Sequence, residues 1–545
     1  MPRVTRWQRY WFADGGRYAA AIVRIAIALA VLLSLAKLGR PLSTGDVPGA
    51  HTLYRPVGIW MLFGHWAPGE MVVTLLRVVA WGSTACMCFG FRSRTSTAIS
   101  FVSAVAVAAL SYASTKTWSH QYNVVFIAQF AFLGARSGDV LSVDALIRRV
   151  RGLPEIDVAR GYQWSLRLVQ LAVALMFAGA AFHKLAHGHF TLRWALSDSL
   201  RNHLLVAFDL ADLPRPALAN WIIDDPWRYR TVACLNLVSQ MLPLVACFVV
   251  RRPWLRAACG GFFAIETIAL GLVVDLWNLH WLPLYAVFVD WDRLIGWLRP
   301  ALVTPAEVPT GWKPPRNVRI FVIGFVVYDA VTAFVPALDQ TLNTYPFSGF
   351  PMFATVRARA PYDEHLPYAV AADHFAVTAD QAIEVGVQRW FDHANRGMFT
   401  VRNPVELKKR LTALLAQAQR RYPKLGIHAV RSELAIFESP AYPAPAHFDM
   451  HVIATLGEVR DDGTFRTLLG KLDDGALTLA PVGLDASAAT LAYYRDDAPV
   501  AIPLDAPRNG ASFRVGELAG DPLYVVATVD SQPWLVATYE PWHWQ

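Results

Sequence analysis

Before about Pro336 the chain carries several uninterrupted apolar runs that reach the roughly 18–20 residues a helix needs to cross a bilayer core. In lipid, every backbone N–H and C=O must find its partner inside the segment or a closed barrel, so such runs have to be helices. The spacing predicts nine spans, at about 18–38, 70–90, 96–113, 121–136, 164–185, 230–250, 257–276, 279–292 and 318–336, the eighth being short. The expected fold class is an α-helical polytopic membrane bundle followed by an extracytoplasmic α+β domain ending in a small β-sheet or sandwich.

Composition supports a membrane protein rather than a soluble one with a large core: 54% of the 545 residues are hydrophobic and only 17% are charged. The formal charge of +8 comes from Arg-rich loops, and no basic stripe interleaved with aromatics points to nucleic acid. Cys86, Cys88, Cys234, Cys247 and Cys259 all lie in or beside apolar runs, which implies no disulfide framework. The segment Tyr18–Leu38 is too long for a signal peptide and carries Arg24, so it reads as a retained first span.

Loop charges set the orientation. Arg3, Arg6 and Arg9 precede the first run; Arg92 and Arg94 follow the second; Arg148, Arg149, Arg151 and Arg160 follow the fourth. Arg251, Arg252 and Arg256 follow the sixth, and Arg299, Lys313, Arg316 and Arg319 precede the ninth. By the positive-inside rule these ends are cytoplasmic, and an odd number of spans puts the C-terminal part outside. Arg215, Arg228 and Arg230 fall on the outer side in this scheme and run against it. The outer loops are aromatic, with Trp60, Trp66, Trp118, Trp221 and Trp227 suited to an interfacial belt, and 192–208 reads as an interfacial helix.

Three regions follow: a membrane bundle over 1–336, a turn-rich linker over 337–375 that includes Asn343–Phe353, and an α+β domain over 376–545. Thr378-x-x-Gln381 and Asn403-Pro404-x-Glu406 are helix-start signals for helices near 379–394 and 404–421. Beyond Pro423, strands are expected at 427–437, 450–456, 523–529 and 534–539.

Chemistry concentrates where the fifth run ends, in Phe182-His183-Lys184-Leu185-Ala186-His187-Gly188-His189. A lysine at that depth either snorkels to water or is held for chemistry, because desolvation frees its amine to act as a base. His120, in Trp118-Ser119-His120-Gln121-Tyr122-Asn123, starts the fourth run on the same side and is the candidate partner that keeps the amine in its working state. Its bland alternative is an interfacial packing residue. His183 and His187 stand four apart, which is metal-compatible spacing, but no carboxylate or cysteine completes a set and none is assigned. Arg24 and Glu266 are ionisable groups inside apolar runs, expected to face the bundle interior and either pair structurally or line the pocket. Walker, Rossmann, nucleophile-elbow and HExxH motifs are missing from the sequence.

The order of these features resembles the vitamin K-dependent gamma-carboxylase family, whose membrane part is also called the horizontally transferred transmembrane (HTTM) domain. Arg24-Ile25 resembles its arginine-containing first helix. Cys88-Phe89-Gly90-Phe91-Arg92-Ser93-Arg94 is similar to the end of its second helix and the basic inner loop. Trp118–Tyr122, with Ser142-Val143-Asp144-Ala145-Leu146, is similar to its histidine motif and the S-V-D segment, and Phe177–Leu185 resembles its lysine motif. The likeness covers about residues 10–300. Where the family carries tryptophan and glycine shortly after its lysine, this chain has His189, Phe190 and Arg193-Trp194; Glu266 falls near the family's histidine–asparagine pattern.

The resemblance implies a bacterial-type member with Lys184 as the base that deprotonates a reduced naphthoquinone of vitamin K or menaquinol type, and His120 as its partner. Oxygen then adds to the quinol anion, the epoxide forms, and the strong base so generated removes a C–H proton that carbon dioxide replaces. Trp118, Tyr122, Asn123, His183, Arg24 and Glu266 are the pocket candidates. Expected partners are the inner-membrane bilayer, the quinol, and a peptide or protein substrate on the outer side. The competing class is a non-catalytic scaffold or export/maturation partner that binds protein through its outer domain; a small-solute transporter lacks the repeated halves that would support it.

Overall fold

The computed structural model describes residues 6–12, 16–38, 54, 56–64, 66–113, 120–153, 161–211, 213–300, 314–338, 345–347, 369–379, 401, 403–438, 442–443, 445, 447–457, 464–473, 476–487, 489–495, 498–501, 512–514 and 523–539. Among them, seven helices are long and apolar enough to cross a membrane. They are α1 (Arg17–Leu38), α2 (Glu70–Phe89), α3 (Ser93–Ala113), α5 (Gln163–His187), α6 (Pro226–Phe248), α7 (Pro253–Val274) and α8 (Arg316–Phe334), with α4 (Asn123–Ala131) between α3 and α5.

The two remaining expected spans take other forms. α4 stops after nine residues, about 14 Å of helix, because the chain turns at Gly134, whose φ of +77° belongs to the left-handed region. The segment Leu279–Phe288 winds as a 3-10 helix with Pro283 inside it, where the missing N–H and the ring both oppose α geometry. Contacts beside both segments tie them into the bundle. Gln121 accepts from the rings of His280 and Trp281 at one end. At the other, Asp144 accepts from the backbone N–H groups of Arg92 and Ser93, each at 2.8 Å, and so caps α3. Asp292 caps α1 there in the same way, through Tyr18 at 3.1 Å and Ala19 at 2.9 Å. The Arg-rich turns thus share one end, which makes the capping carboxylates necessary: helix N-termini and arginines both need negative charge.

α5 is the central helix, with 89% of its apolar window buried against 33% for α6, α7 and α8. The last three expose large apolar side chains such as Leu235, Phe248, Ile265 and Val327, the faces that lipid would cover. Gly179 of α5 lets α8 come close: a Cβ there would lie 3.0 Å from the carbonyl oxygen of Ala333.

The C-terminal region is one sheet of ten strands, β1 (Ala369–Ala379), β2 (Ile427–Glu438), β3 (Phe448–Leu456), β4 (Phe465–Asp473), β5 (Ala476–Val482), β6 (Thr490–Arg495), β7 (Ala498–Ala501), β8 (Ser512–Arg514), β9 (Leu523–Val529) and β10 (Gln532–Tyr539). The order is β7-β6-β9-β10-β3-β4-β5-β8, with β2 on β3 and β1 on β2. All pairs are antiparallel except β3–β10. Leu407, Leu411 and Leu414 of α9 (Pro404–Arg421) bury against Val430, Leu434 and Ile453 of the sheet. The Asn403 side chain caps α9 through Val405 N–H at 2.9 Å and Glu406 N–H at 3.3 Å. Glu406 turns instead to Arg410, at 2.6 Å, rather than reaching back to close a capping box. β1 extends into the stretch read as linker and takes Thr378, the proposed cap, into the sheet; residues 380–394 of the helix expected there lie outside the described residues. The predicted helix over 192–208 is broken into Arg193–Leu196 and Ser199–Phe208.

The sheet meets the bundle at the end where α5 finishes. Tyr442 donates to the backbone carbonyl of Asp224 at 2.7 Å, and the Arg201 guanidinium lies 5.6 Å from the centre of the same ring. Phe448 packs on the cluster of Leu204, Phe208 and Ile222.

Candidate functional site

Lys184 is 2% exposed, one turn before α5 ends at His187. After Gly188, His189 and Phe190 both adopt left-handed backbone, φ +53° and +58°, at roughly 1–2 kcal/mol each. The Phe190 N–H bonds the carbonyl of Leu185 at 2.7 Å, closing the turn. The reversal carries Trp194, itself buried, back over the lysine: its ring centroid lies 4.9 Å from Nζ, within range of a cation–π contact.

The other partners come from α6 and α7. Lys184 Nζ donates to Gln240 Oε1 at 3.0 Å. Gln240 occupies the buried stripe of α6 that also holds Ala233 and Leu237, a position where an amide persists only with a partner. One turn earlier on α6, Asn236 donates to Glu266 Oε2 at 2.9 Å, and the Ser239 hydroxyl donates to Glu266 Oε1. Glu266, on α7, is 5% exposed. Its charge acts on Lys184 through space, and the lysine's acts on it. Among the described residues no ion pair within 4 Å joins them; their contacts run through neutral side chains of α6.

Among the described residues no hydrogen bond joins His120 to Lys184. His120 sits in the turn before α4, and its charge acts on His183, as does that of Lys184. His183 is 2% exposed, the backbone of Ala333 on α8 acts on its ring electrostatically, and its Nε2 meets no hydrogen-bond partner among the described residues. The rings of His183 and His187 stack at 6.3 Å. Among the described residues, no third His, Cys, Asp or Glu joins any such pair to make a metal set.

The remaining candidates scatter. Tyr122 is buried and stacks on His280 at 5.0 Å, and Asn123 is buried at the start of α4. Arg24 lies at the opposite end of the bundle, its guanidinium donating to the carbonyls of Ser137 and, at 2.6 Å, Leu141. It pins the 137–141 turn and belongs to no site with Glu266. Trp118 lies outside the described residues.

The sequence reading missed Gln240, Asn236, Ser239 and Asp329. A signal was present for the first three: polar residues at i, i+3 and i+4 in an apolar run mark one face of a helix. Asp329 was the only acid inside the last predicted run. What the site can do is hold an amine away from water, stabilise it when it gains a proton, and supply a carboxylate one side chain removed. No family model, curated protein or solved structure matches the chain.

Proposed function

We propose that the chain is an integral membrane enzyme in which Lys184 deprotonates a quinol of the naphthoquinone class. In this reading all nine segments cross an inner membrane, the N-terminus is cytoplasmic, and the sheet lies outside beside the Lys184 end. The arginines that opposed this orientation have partners: Arg215 pairs with Asp209 at 2.6 Å and Arg230 with Asp198 at 3.0 Å, while Arg228 stacks 4.9 Å from the centre of the Trp221 ring.

One observation carries the reading: a fully buried amine touches a neutral amide acceptor and a π face, with its carboxylate held one residue further off. The quinol O–H bond would break with its electron pair left on oxygen, and the proton would go to Nζ. Gln240 Oε1, the Trp194 ring and the field of Glu266 all stabilise the ammonium formed. A directly bonded Glu266 would fix the charge beforehand and leave no acceptor. Oxygen then adds to the quinolate, one of its atoms staying as the epoxide and the other leaving as water, and carbon dioxide enters if a substrate C–H is deprotonated. His120 acts at one remove, through His183.

Purified protein incubated with reduced menaquinone and oxygen should form epoxide, and Lys184→Ala should form none. Equal turnover in both would remove the lysine from the mechanism. A second reading, a protein-binding membrane scaffold, draws on the same contacts: Gln240 and Trp194 leave Lys184 satisfied, as a helix pin requires. It predicts no epoxide from the folded wild type, together with capture of a protein partner by the outer sheet.

A further inference from the structure

On the opposite side of α5 lies a different kind of group. α8 buries a stripe of Val322, Phe325, Asp329, Thr332 and Ala333, so an acid stands where the helical period calls for an apolar side chain. Asp329 is 4% exposed, and its Oδ2 meets no hydrogen-bond partner among the described residues. It borders a cavity lined by Val124 and Ile127 of α4, Ala172, Leu175 and Met176 of α5, and Ala333 of α8, with about 10 Å³ open to the centre of a water molecule. That is about one water's worth of space.

A carboxyl this deep among apolar side chains must be held by a proton or a ligand, because an isolated carboxylate there costs far too much. One carboxyl supplies too few oxygens for a metal cation, and the cavity is too small for an aromatic ring. We propose that Asp329 is a proton-binding site, its carboxyl exchanging a proton with a single water in the adjacent cavity. The exchange is a concerted swap: the acid O–H proton passes to the water oxygen while the water gives one of its own protons to the other carboxyl oxygen, so that the carboxyl and the water both stay neutral. Of the titratable groups on the packed elements, His120 before α4, His183 on α5 and Tyr328 on α8 included, none lines the cavity, and no charged side chain among the described residues acts on Asp329 electrostatically. The proposal stands apart from the quinol reading, since it uses neither Lys184 nor its partners.

Infrared spectroscopy of the full chain in lipid nanodiscs tests it. At neutral pH the wild type should show the C=O stretch of a protonated carboxyl that is missing from Asp329→Asn, and the band should shift in D2O. Asp329→Glu should keep the band if the asparagine variant fails to fold. Ala172→Leu, which fills the cavity wall, should keep the band yet slow its D2O shift roughly tenfold, as loss of the water predicts. No band lost in Asp329→Asn, a wild-type band that never shifts in D2O, or unchanged exchange in Ala172→Leu would each overturn the proposal.

Discussion

The two sides of α5 treat a buried ionisable group in opposite ways. Towards α6 and α7, Lys184 finds an amide at 3.0 Å, a tryptophan face at 4.9 Å and the field of Glu266. Towards α4 and α8, Asp329 finds apolar side chains and a water-sized space. The difference is one of neighbours rather than depth, since the two are 2% and 4% exposed. A group surrounded by partners resists removal, whereas a group without them is tolerated at a cost and is worth keeping only for what it exchanges.

The sharpest way to break the comparison is to remove the amine. Lys184→Met should destabilise the bundle by about 3–5 kcal/mol, because it strands the Glu266 carboxylate in the interior. Lys184→Met with Glu266→Gln should recover most of that loss in thermal unfolding of detergent-solubilised protein. If the two losses simply add, the groups are independent and the network does not exist. Gln240→Leu comes next, at about 1–3 kcal/mol, the cost of leaving a buried donor without its acceptor. A variant unfolding like the wild type would show that Trp194 and Glu266 alone hold the amine.

How much of this was legible in the sequence follows from what periodicity encodes. An apolar run reports that a segment is buried or in lipid, so the seven long helices could be read directly. It says nothing about whether the run stays helical, which is why 121–136 and 279–292 were read as ordinary spans despite Gly134 and Pro283. In the sheet, β2, β3, β9 and β10 follow alternating β-branched and aromatic residues, whereas β1, Ala-Val-Ala-Ala-Asp-His, lacks that signal. Lys184 stood out because a charge ended an apolar run. Its partner did not, because Gln240 comes 56 residues later on another helix, and contact across helices leaves no trace in local spacing. His120, the partner inferred from its place at the start of the fourth run and from the resemblance, acts on His183, as does Lys184.

A smaller effect sharpens the geometry that keeps the two sides apart. Gly179→Ala would put a Cβ 3.0 Å from the Ala333 carbonyl oxygen, forcing α8 outward by a few tenths of an ångström. Overpacking costs outweigh the gain in helix propensity, leaving a net loss of about 1 kcal/mol. The readout is specific: the Ala333 backbone acts electrostatically on the His183 ring, so its NMR signals should shift while those of Lys184 do not. Movement of both would mean that α5 transmits the change and the two sides are coupled.

The smallest change in stability should come from Asp329→Leu, and its sign matters most. Leucine is close to aspartate in reach, fills part of the adjoining cavity and removes a carboxyl whose Oδ2 no neighbour among the described residues satisfies. Replacing an unpartnered polar group by an apolar one of similar shape is neutral or stabilising, so thermal unfolding should place this variant within about 1 kcal/mol of wild type or above it. Lys184→Met, an apolar replacement at equal depth, should fall several-fold further in the opposite direction. A large loss for Asp329→Leu would mean that its carboxyl is bonded to something that holds the helices together, and the contrast across α5 would collapse.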